Sequence, residues 1–477
     1  MAWTQPPVYE RDMTFDALSF LDAPTGLNKE GGKTLPLYAV GTHDWATRLG
    51  ELPKSAVAQA KLLGFSGEAG RILLLPGPRG SLAGAVVGLG EGSVLSGFGA
   101  AAAALPTGHL WRIEANGICV QEAELGFMLG AYRYQTLKTR KITFSNLADA
   151  SARSRIIAGS IMLARELINT PANDLGPAEL AEAALQLAQR FGATAECTQS
   201  EALAACYPAI HAVGAGSSRP PAVVTFRWEG RAAGAKAPLV SLCGKGVCFD
   251  TGGYNLKPGA AMRLMRKDMG GAAIALGLSA AIMALDLPIR LELRIGCVEN
   301  SISGSAMRPS DVLQTRAGLT VEVGDTDAEG RLVLSDLLCA ACEAKPDWLI
   351  DIATLTGAAR VALGPDLPAL FCNCDEMAEA ILAAGRAQED LLWRMPLHGG
   401  YAGWLESSFA DMSNVSTKPF AGAITAALFL QRFVPDKVAW AHIDTYAWND
   451  STRPAKPEGG EAQTLRALLS AIEHLAG

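Results

Sequence analysis

Leu239-Val240-Ser241-Leu242-Cys243, followed at once by Gly244-Lys245-Gly246-Val247-Cys248-Phe249-Asp250-Thr251-Gly252-Gly253, joins a nearly continuous apolar run to a glycine-rich one. An apolar run bounded by glycine reads as a strand covered on both faces, the kind found in parallel sheets. The glycines after it predict a turn in which Lys245 and Asp250 flank a backbone free to fold closely around something small. Trp348 to Ala353 and Val438 to Ile443 repeat the apolar pattern. Ile289, Leu291, Leu293 and Ile295 instead alternate with Arg290, Glu292 and Arg294, which predicts a strand wet on one side. Helical runs lie between. One has Pro177 at its start, Leu180, Ala184, Leu187 and Phe191 on one stripe and Gly192 at its end. The order strand, helix, strand, helix predicts a largely parallel central sheet with crossover helices. A last helix carries Leu465, Leu468, Leu469 and Ile472 on one side.

Toward the N-terminus, Arg71 to Leu75 precedes Pro76-Gly77-Pro78, and Ala83 to Leu89 precedes Gly90-Glu91-Gly92, so both read as strands. Ile157, Ile161, Ala164 and Ile168 share one helix face, and Pro171 stops that helix. At about 150 residues per domain, the 477 residues suggest two or three domains. The expected division is an N-terminal α/β domain over 1–150, a connecting helix over 151–169 and a larger α/β domain over 170–477.

Lys and Arg number 41 against 48 Asp and Glu, a net charge of −7, and no basic block stands out. Electrostatic capture of nucleic acid is therefore not expected. Residues 1–15 carry Glu10, Arg11 and Asp12 and lack the apolar core of a secretory signal. The apolar stretch Met269 to Leu285 is shorter than the ~20 residues of a bilayer span and reads as a buried helix. Gly92 to Trp111 is uncharged, but its glycines, serines, Pro106 and His109 suit a membrane span poorly. No membrane association is expected. Ten cysteines without an export signal predict reduced thiols in a cytoplasm. Cys339 and Cys342, like Cys372 and Cys374, lack a second pair at zinc-finger spacing.

Three carboxylate-bearing segments sit where a strand meets a glycine-rich turn or helix, the place where α/β folds hold ligands. One carries Asp250. The next, Lys267-Asp268-Met269-Gly270-Gly271, sets Asp268 at the opening of the buried helix. The third, Gly324-Asp325-Thr326-Asp327-Ala328-Glu329-Gly330-Arg331, would point Asp325, Asp327, Glu329 and Arg331 the same way if extended. Should Asp250, Asp268, Asp327 and Glu329 converge, four negative charges need cations, and two divalent ions would balance them. Oxygen ligands suit Mg2+, Mn2+ or Zn2+, and a metal pair can activate one water. For any single segment, a solvated turn or helix cap is the plainer alternative. Gly88-Leu89-Gly90-Glu91-Gly92 fails the dinucleotide fingerprint, Gly214 to Ser218 lacks a phosphate-loop ending, and no nucleophile-elbow motif occurs. The histidines form no metal-spaced pair, and His442 reads as a core residue.

Taken together, the segments resemble the leucyl aminopeptidase family of two-metal cytosolic exopeptidases. The resemblance rests on Gly244-Lys245-Gly246, Phe249-Asp250-Thr251-Gly252-Gly253, Lys257-Pro258, Asp268-Met269-Gly270-Gly271 and Thr326-Asp327-Ala328-Glu329-Gly330-Arg331-Leu332. Asn169-Thr170-Pro171, Thr354-Leu355-Thr356-Gly357-Ala358 and Trp440-Ala441-His442-Ile443-Asp444 also match in order and spacing. It covers about residues 160 to 450, with Gly126 to Tyr134 the matching part further upstream. It implies a macro-like N-terminal domain, a homohexamer, peptide substrates and two divalent ions, Mn2+ or Zn2+ with Mg2+ a third option. The ligands would be Lys245, Asp250, Asp268, Asp327 and Glu329. Lys257 and Arg331 would be catalytic, Arg331 by holding a bicarbonate ion that carries a proton to the leaving amine, while a metal-bridging hydroxide attacks the peptide carbonyl. Met265, Thr354, Leu355, Gly357 and Tyr446 would form the pocket for the first side chain, expected to be apolar and leucine-like. Asp325 stands where the family has asparagine, and Tyr446 where a small residue is commoner. The rival readings are a two-metal phosphoesterase, disfavoured by a lysine ligand, and a non-catalytic or DNA-binding scaffold on the same fold.

Overall fold

The computed structural model describes residues 16–28, 33–43, 45–48, 50–52, 54–115, 117–234 and 236–477; the expectation for residues 1–15 lies outside them. The N-terminal unit is a sheet of β1 (Thr34–Gly41), β2 (Ile72–Pro76), β3 (Leu82–Gly90), β4 (Leu110–Ile113) and β5 (Asn146–Leu147), in the order β2-β3-β1-β4-β5. β1 pairs in parallel with β3 and β4, and β2 runs antiparallel at the edge.

The second unit is built on an eight-stranded sheet. Its strands are β6 (Thr194–Gln199), β7 (Ala222–Glu229), β8 (Leu239–Asp250), β9 (Arg290–Asn300), β10 (Trp348–Ala353), β11 (Ala369–Cys372), β12 (Trp393–Arg394) and β13 (Trp440–Asp444). They lie in the order β12-β11-β13-β10-β8-β9-β7-β6. The middle strands β13, β10, β8 and β9 are mutually parallel, and antiparallel strands flank them. This is the largely parallel sheet that the apolar runs predict.

Three local expectations are corrected. First, Gly244-Lys245-Gly246 continues strand β8 instead of turning. A Cβ on Gly244 would stand 2.6 Å from the Ala272 Cα, and one on Gly246 2.6 Å from the Gly296 carbonyl oxygen. These glycines let the buried helix and the neighbouring strand approach the backbone closely, and the turn comes later, where Gly252 and Gly253 have φ of +85° and +60°. Second, β9 is buried on both faces. Glu292 and Arg294 pair with each other, and Arg227 Nε donates to Glu292 at 2.7 Å from β7, which shields β9 as a further strand. Third, residues 324–331 are not extended: a turn holds Asp327, and Glu329 opens the next helix.

Helix α1 (Ala152–Asn169) is capped by the Ser151 hydroxyl, which accepts from the Ser154 N–H. It ties both units together. Glu124 of the N-terminal unit accepts from the Ser151 N–H at 3.0 Å, Tyr132 OH donates to Glu166 at 2.7 Å, and Arg165 reaches Glu461 at 3.0 Å. Helix α2 (Gly270–Ala284) packs against α1 and β8, and its side chains from Gly270 to Met283 are buried. Met265–Ala284 has the length and apolarity of a membrane span, yet 94% of its apolar window is buried within the protein. Each fully buried Leu or Ile there, such as Leu278 and Ile282, stabilises the fold by about 1.5–3 kcal/mol. All ten cysteines are free, and Cys339 and Cys342 are half-buried.

Candidate active site

At the C-terminal end of the parallel strands, segments distant in sequence meet around a cavity of about 750 Å³. Lys245 projects from the middle of β8 and Asp250 from its end. Asp268 lies in the single turn Met265–Met269 that leads into α2. Asp327 sits on the turn before helix α3 (Glu329–Cys342), whose first residue is Glu329 and whose first turn carries Arg331. Every residue that the sequence singles out lines this cavity: Lys245, Asp250, Lys257, Met265, Asp268, Asp327, Glu329, Arg331, Thr354, Leu355, Gly357 and Tyr446.

The charges are tightly interlocked. Lys245 Nζ stands 2.8 Å from Asp268 Oδ2 and 2.9 Å from Glu329 Oε1, and donates to the Thr354 carbonyl at 2.9 Å. Lys257 Nζ lies 2.8 Å from Asp250 Oδ2 and also pairs with Asp327. Asp250 Oδ1 accepts from the Gly252 N–H at 2.8 Å and Asn300 Nδ2 at 2.9 Å, which aims its other oxygen into the cleft. Thr354 Oγ1 donates to Asp268 Oδ1 at 2.8 Å. Single oxygens of Asp250, Asp327 and Glu329 lie within 4.8 Å of one another. Glu329 Oε2 is buried without a hydrogen-bond partner; Asp268 Oδ2 and Asp327 Oδ1 face their ammonium groups without a directed hydrogen bond.

Burial and crowding decide the ionisation. Burial, then the Asp250 charge, pushes Glu329 up to about 8 and Asp327 up to about 6. Asp268 is raised by burial too, against the pull of Lys245. For Lys245 and Lys257 burial opposes the charge, but the surrounding carboxylates outweigh it and hold both amines above their ordinary range. Burial lowers Arg331 to about 10 and Lys267 to about 8. The protein alone therefore holds more protons here than free side chains would. A lysine ligand requires a neutral amine, a shift of roughly 4–5 kcal/mol from about 10.4 to below 7. That push must come from bound dications. The residues fit such ions: carboxylate oxygens without directed hydrogen-bond partners, Glu329 Oε2, Asp268 Oδ2 and Asp327 Oδ1, are buried in one cluster beside the Lys245 amine.

One supporting residue, Asn414, had no signal in the sequence. Asn414 is fully buried. Its Oδ1 accepts from the Gly324 and Asp325 N–H groups at 2.8 and 3.2 Å, and its Nδ2 donates to the Asp325 and Ala328 carbonyls at 2.7 and 3.3 Å. Its own carbonyl accepts from Arg331 Nη1 at 2.6 Å. Asp325 lines the cavity and accepts the Asp327 N–H at 2.8 Å, so it shapes the turn that carries Asp327. His442 is fully buried, its Nδ1 2.5 Å from Asp351, as suits a core residue.

Comparison with known proteins agrees with this geometry. The profile described as cytosol aminopeptidase family, catalytic domain, matches residues 162–469, and that of the M17 aminopeptidase N-terminal domain matches 41–149. The chain belongs to the cytosol aminopeptidase family. A probable cytosol aminopeptidase of Sinorhizobium medicae is 39% identical over 450 residues, covering 87% of this chain and 90% of the relative. The crystal structure of a Coxiella burnetii cytosol aminopeptidase superposes with a TM-score of 0.88 at 42% identity, over 94% of this chain and 98% of that one. The bottromycin maturation enzyme BotP, solved in complex with Mn, gives 0.84 at 30% identity over 94% and 100%. Membership makes the protein a metal-dependent aminopeptidase of the hydrolase class, with the family's two-domain α/β fold.

Proposed function

We propose that the cavity removes the N-terminal residue of peptides with Lys245, Asp250, Asp268, Asp327 and Glu329 as ligands of two divalent ions. The observation that carries this reading is the meeting of Asp250, Asp327 and Glu329 oxygens within 4.8 Å, beside a buried lysine amine. When bound, such ions supply an activated water and polarise the scissile carbonyl. Lys257, held at the mouth of the carboxylate cluster by Asp250, is placed to share in stabilising the developing oxyanion. Arg331 is buried with its Nε unpartnered. It would hold the bicarbonate, whose role is to deliver a proton to the leaving amine. Manganese is the first candidate ion, since the similar BotP was solved with it; zinc is the second and magnesium the third.

The first side chain falls to Met265, Thr354, Leu355, Gly357 and Tyr446, where Met265 and Leu355 offer an apolar wall suited to leucine. We place the domain limits at 1–150, 151–169 and 170–477, and the protein in the cytoplasm as a homohexamer. The test is chelator-sensitive release of p-nitroaniline from leucine p-nitroanilide by wild type, Lys257→Ala and Arg331→Ala. Turnover in either variant is expected to fall at least a hundredfold. Wild-type turnover in either variant would remove that residue from the catalytic set. Undiminished cleavage after exhaustive metal stripping would sink the proposal.

A further inference from the structure

Lys267 is a buried cation in the cavity that the reaction above does not use. It is 6% exposed, lines the cavity beside Met265, and lies with its Nζ 4.6 Å from the centroid of the Tyr446 ring. Among the described residues, no hydrogen bond or ion pair of its amine is found. The acids whose charges act on it, Asp268 and Asp444, are both committed elsewhere. Asp268 is engaged by Lys245 and Thr354. Asp444 accepts from the Leu355 and Thr356 N–H groups at 3.0 and 3.1 Å and from Thr356 Oγ1 at 2.6 Å. A buried ammonium without an acceptor is costly, and a ring face compensates only part of its lost hydration.

A second cation stands on the same ring. The Arg360 guanidinium lies 4.9 Å from the Tyr446 centroid and also lines the cavity. The wall assigned to the first side chain thus combines an apolar approach, Met265, with a tyrosine flanked by two cations. A glutamate side chain matches both parts: its methylenes can lie on Met265 while its carboxylate takes the unused donors of Lys267.

We propose that Lys267, supported by Arg360 across Tyr446, is a specificity-determining residue that admits peptides with an acidic first residue, glutamate above all. This rests on the aminopeptidase reading and adds a substrate class to it. Glutamate and glutamine have nearly the same shape, so the ratio of their kcat/KM isolates the charge. Measured on one preparation, it is also independent of metal loading and of the folded fraction.

The experiment compares kcat/KM for the p-nitroanilides of glutamate, glutamine and leucine on manganese-loaded wild type, Lys267→Met and Lys267→Arg. Wild type should favour glutamate over glutamine by about tenfold or more. That ratio should fall about tenfold in Lys267→Met and stay above one in Lys267→Arg. A wild-type ratio at or below one, or an unchanged ratio in Lys267→Met, would overturn the assignment while leucine cleavage still upheld the aminopeptidase. Failure to cleave any of the three would instead count against the underlying reading. The wild-type ratio alone decides the matter should the variants not fold.

Discussion

Asn414→Ala removes a side chain that touches neither substrate nor metal ligand, yet holds the turn on which Asp327 and Glu329 depend. The substitution deletes hydrogen bonds to the Gly324 and Asp325 N–H groups and to the Asp325 and Ala328 carbonyls. Each buried backbone group left without a partner costs about 1–3 kcal/mol. The longest of these contacts, at 3.3 Å, counts least, and water can enter the space left behind. A total loss of about 3–4 kcal/mol follows, within the range of large single-site effects. Urea unfolding of the metal-free protein would read it as a lower midpoint at unchanged slope. Because the turn also aims the carboxylates, manganese affinity by calorimetric titration should fall about 10–100-fold. Asn414→Asp keeps the acceptor for Gly324 and Asp325 but sets an oxygen against the two carbonyls, so it should destabilise at least as much. An alanine variant within about 1 kcal/mol of wild type and with manganese affinity within about twofold would refute the reasoning.

Metal affinity should rise by at least tenfold from pH 6 to 8, because Asp327 at about 6 and Glu329 at about 8 hold protons that an ion must displace, and lower pH strengthens that competition. A flat manganese-binding profile over that range would contradict it. Gly271→Ala would set a Cβ 2.0 Å from the Ile352 carbonyl oxygen, so helix α2 must move off β10 at about 1–3 kcal/mol or more, whereas Gly304→Ala meets nothing within 4 Å and should be neutral by thermal unfolding. Arg165→Met strands the buried Glu461 carboxylate and should cost about 3–5 kcal/mol in urea unfolding near pH 7. Burial opposes the Glu461 charge, but Arg165, Lys456 and the Asn449 amide together outweigh it and hold the carboxyl below its ordinary 4.5. The stability this pair contributes is present above about pH 4.5 and is lost as pH falls through the lower folded value, so the wild type should weaken in acid more than the variant.

The chain's linear pattern alone was enough to predict the parallel sheet, because strands buried on both faces must be apolar nearly throughout. It also marked Lys245, Asp250, Asp268, Asp327, Glu329 and Arg331, since carboxylates and glycines at strand ends are what such a site requires, whereas Lys257, Met265, Thr354, Leu355, Gly357 and Tyr446 were marked only by the family resemblance. It misjudged Gly244 and Gly246, because glycine serves close packing as readily as turning and only the neighbours distinguish the two uses. It misjudged β9 because Glu292 and Arg294 satisfy each other inside the protein, which a periodicity of apolar residues cannot register. Asn414 and Arg360 carried no signal at all, and Lys267 entered only as the neighbour of Asp268. Their importance lies in what they touch: backbone groups some 90 residues away for Asn414, and one tyrosine ring shared by two cations. Composition and spacing determine which elements form and which chemistry is available, whereas the balance of burial and charge that sets each proton and each pocket wall exists only once the distant segments are packed together.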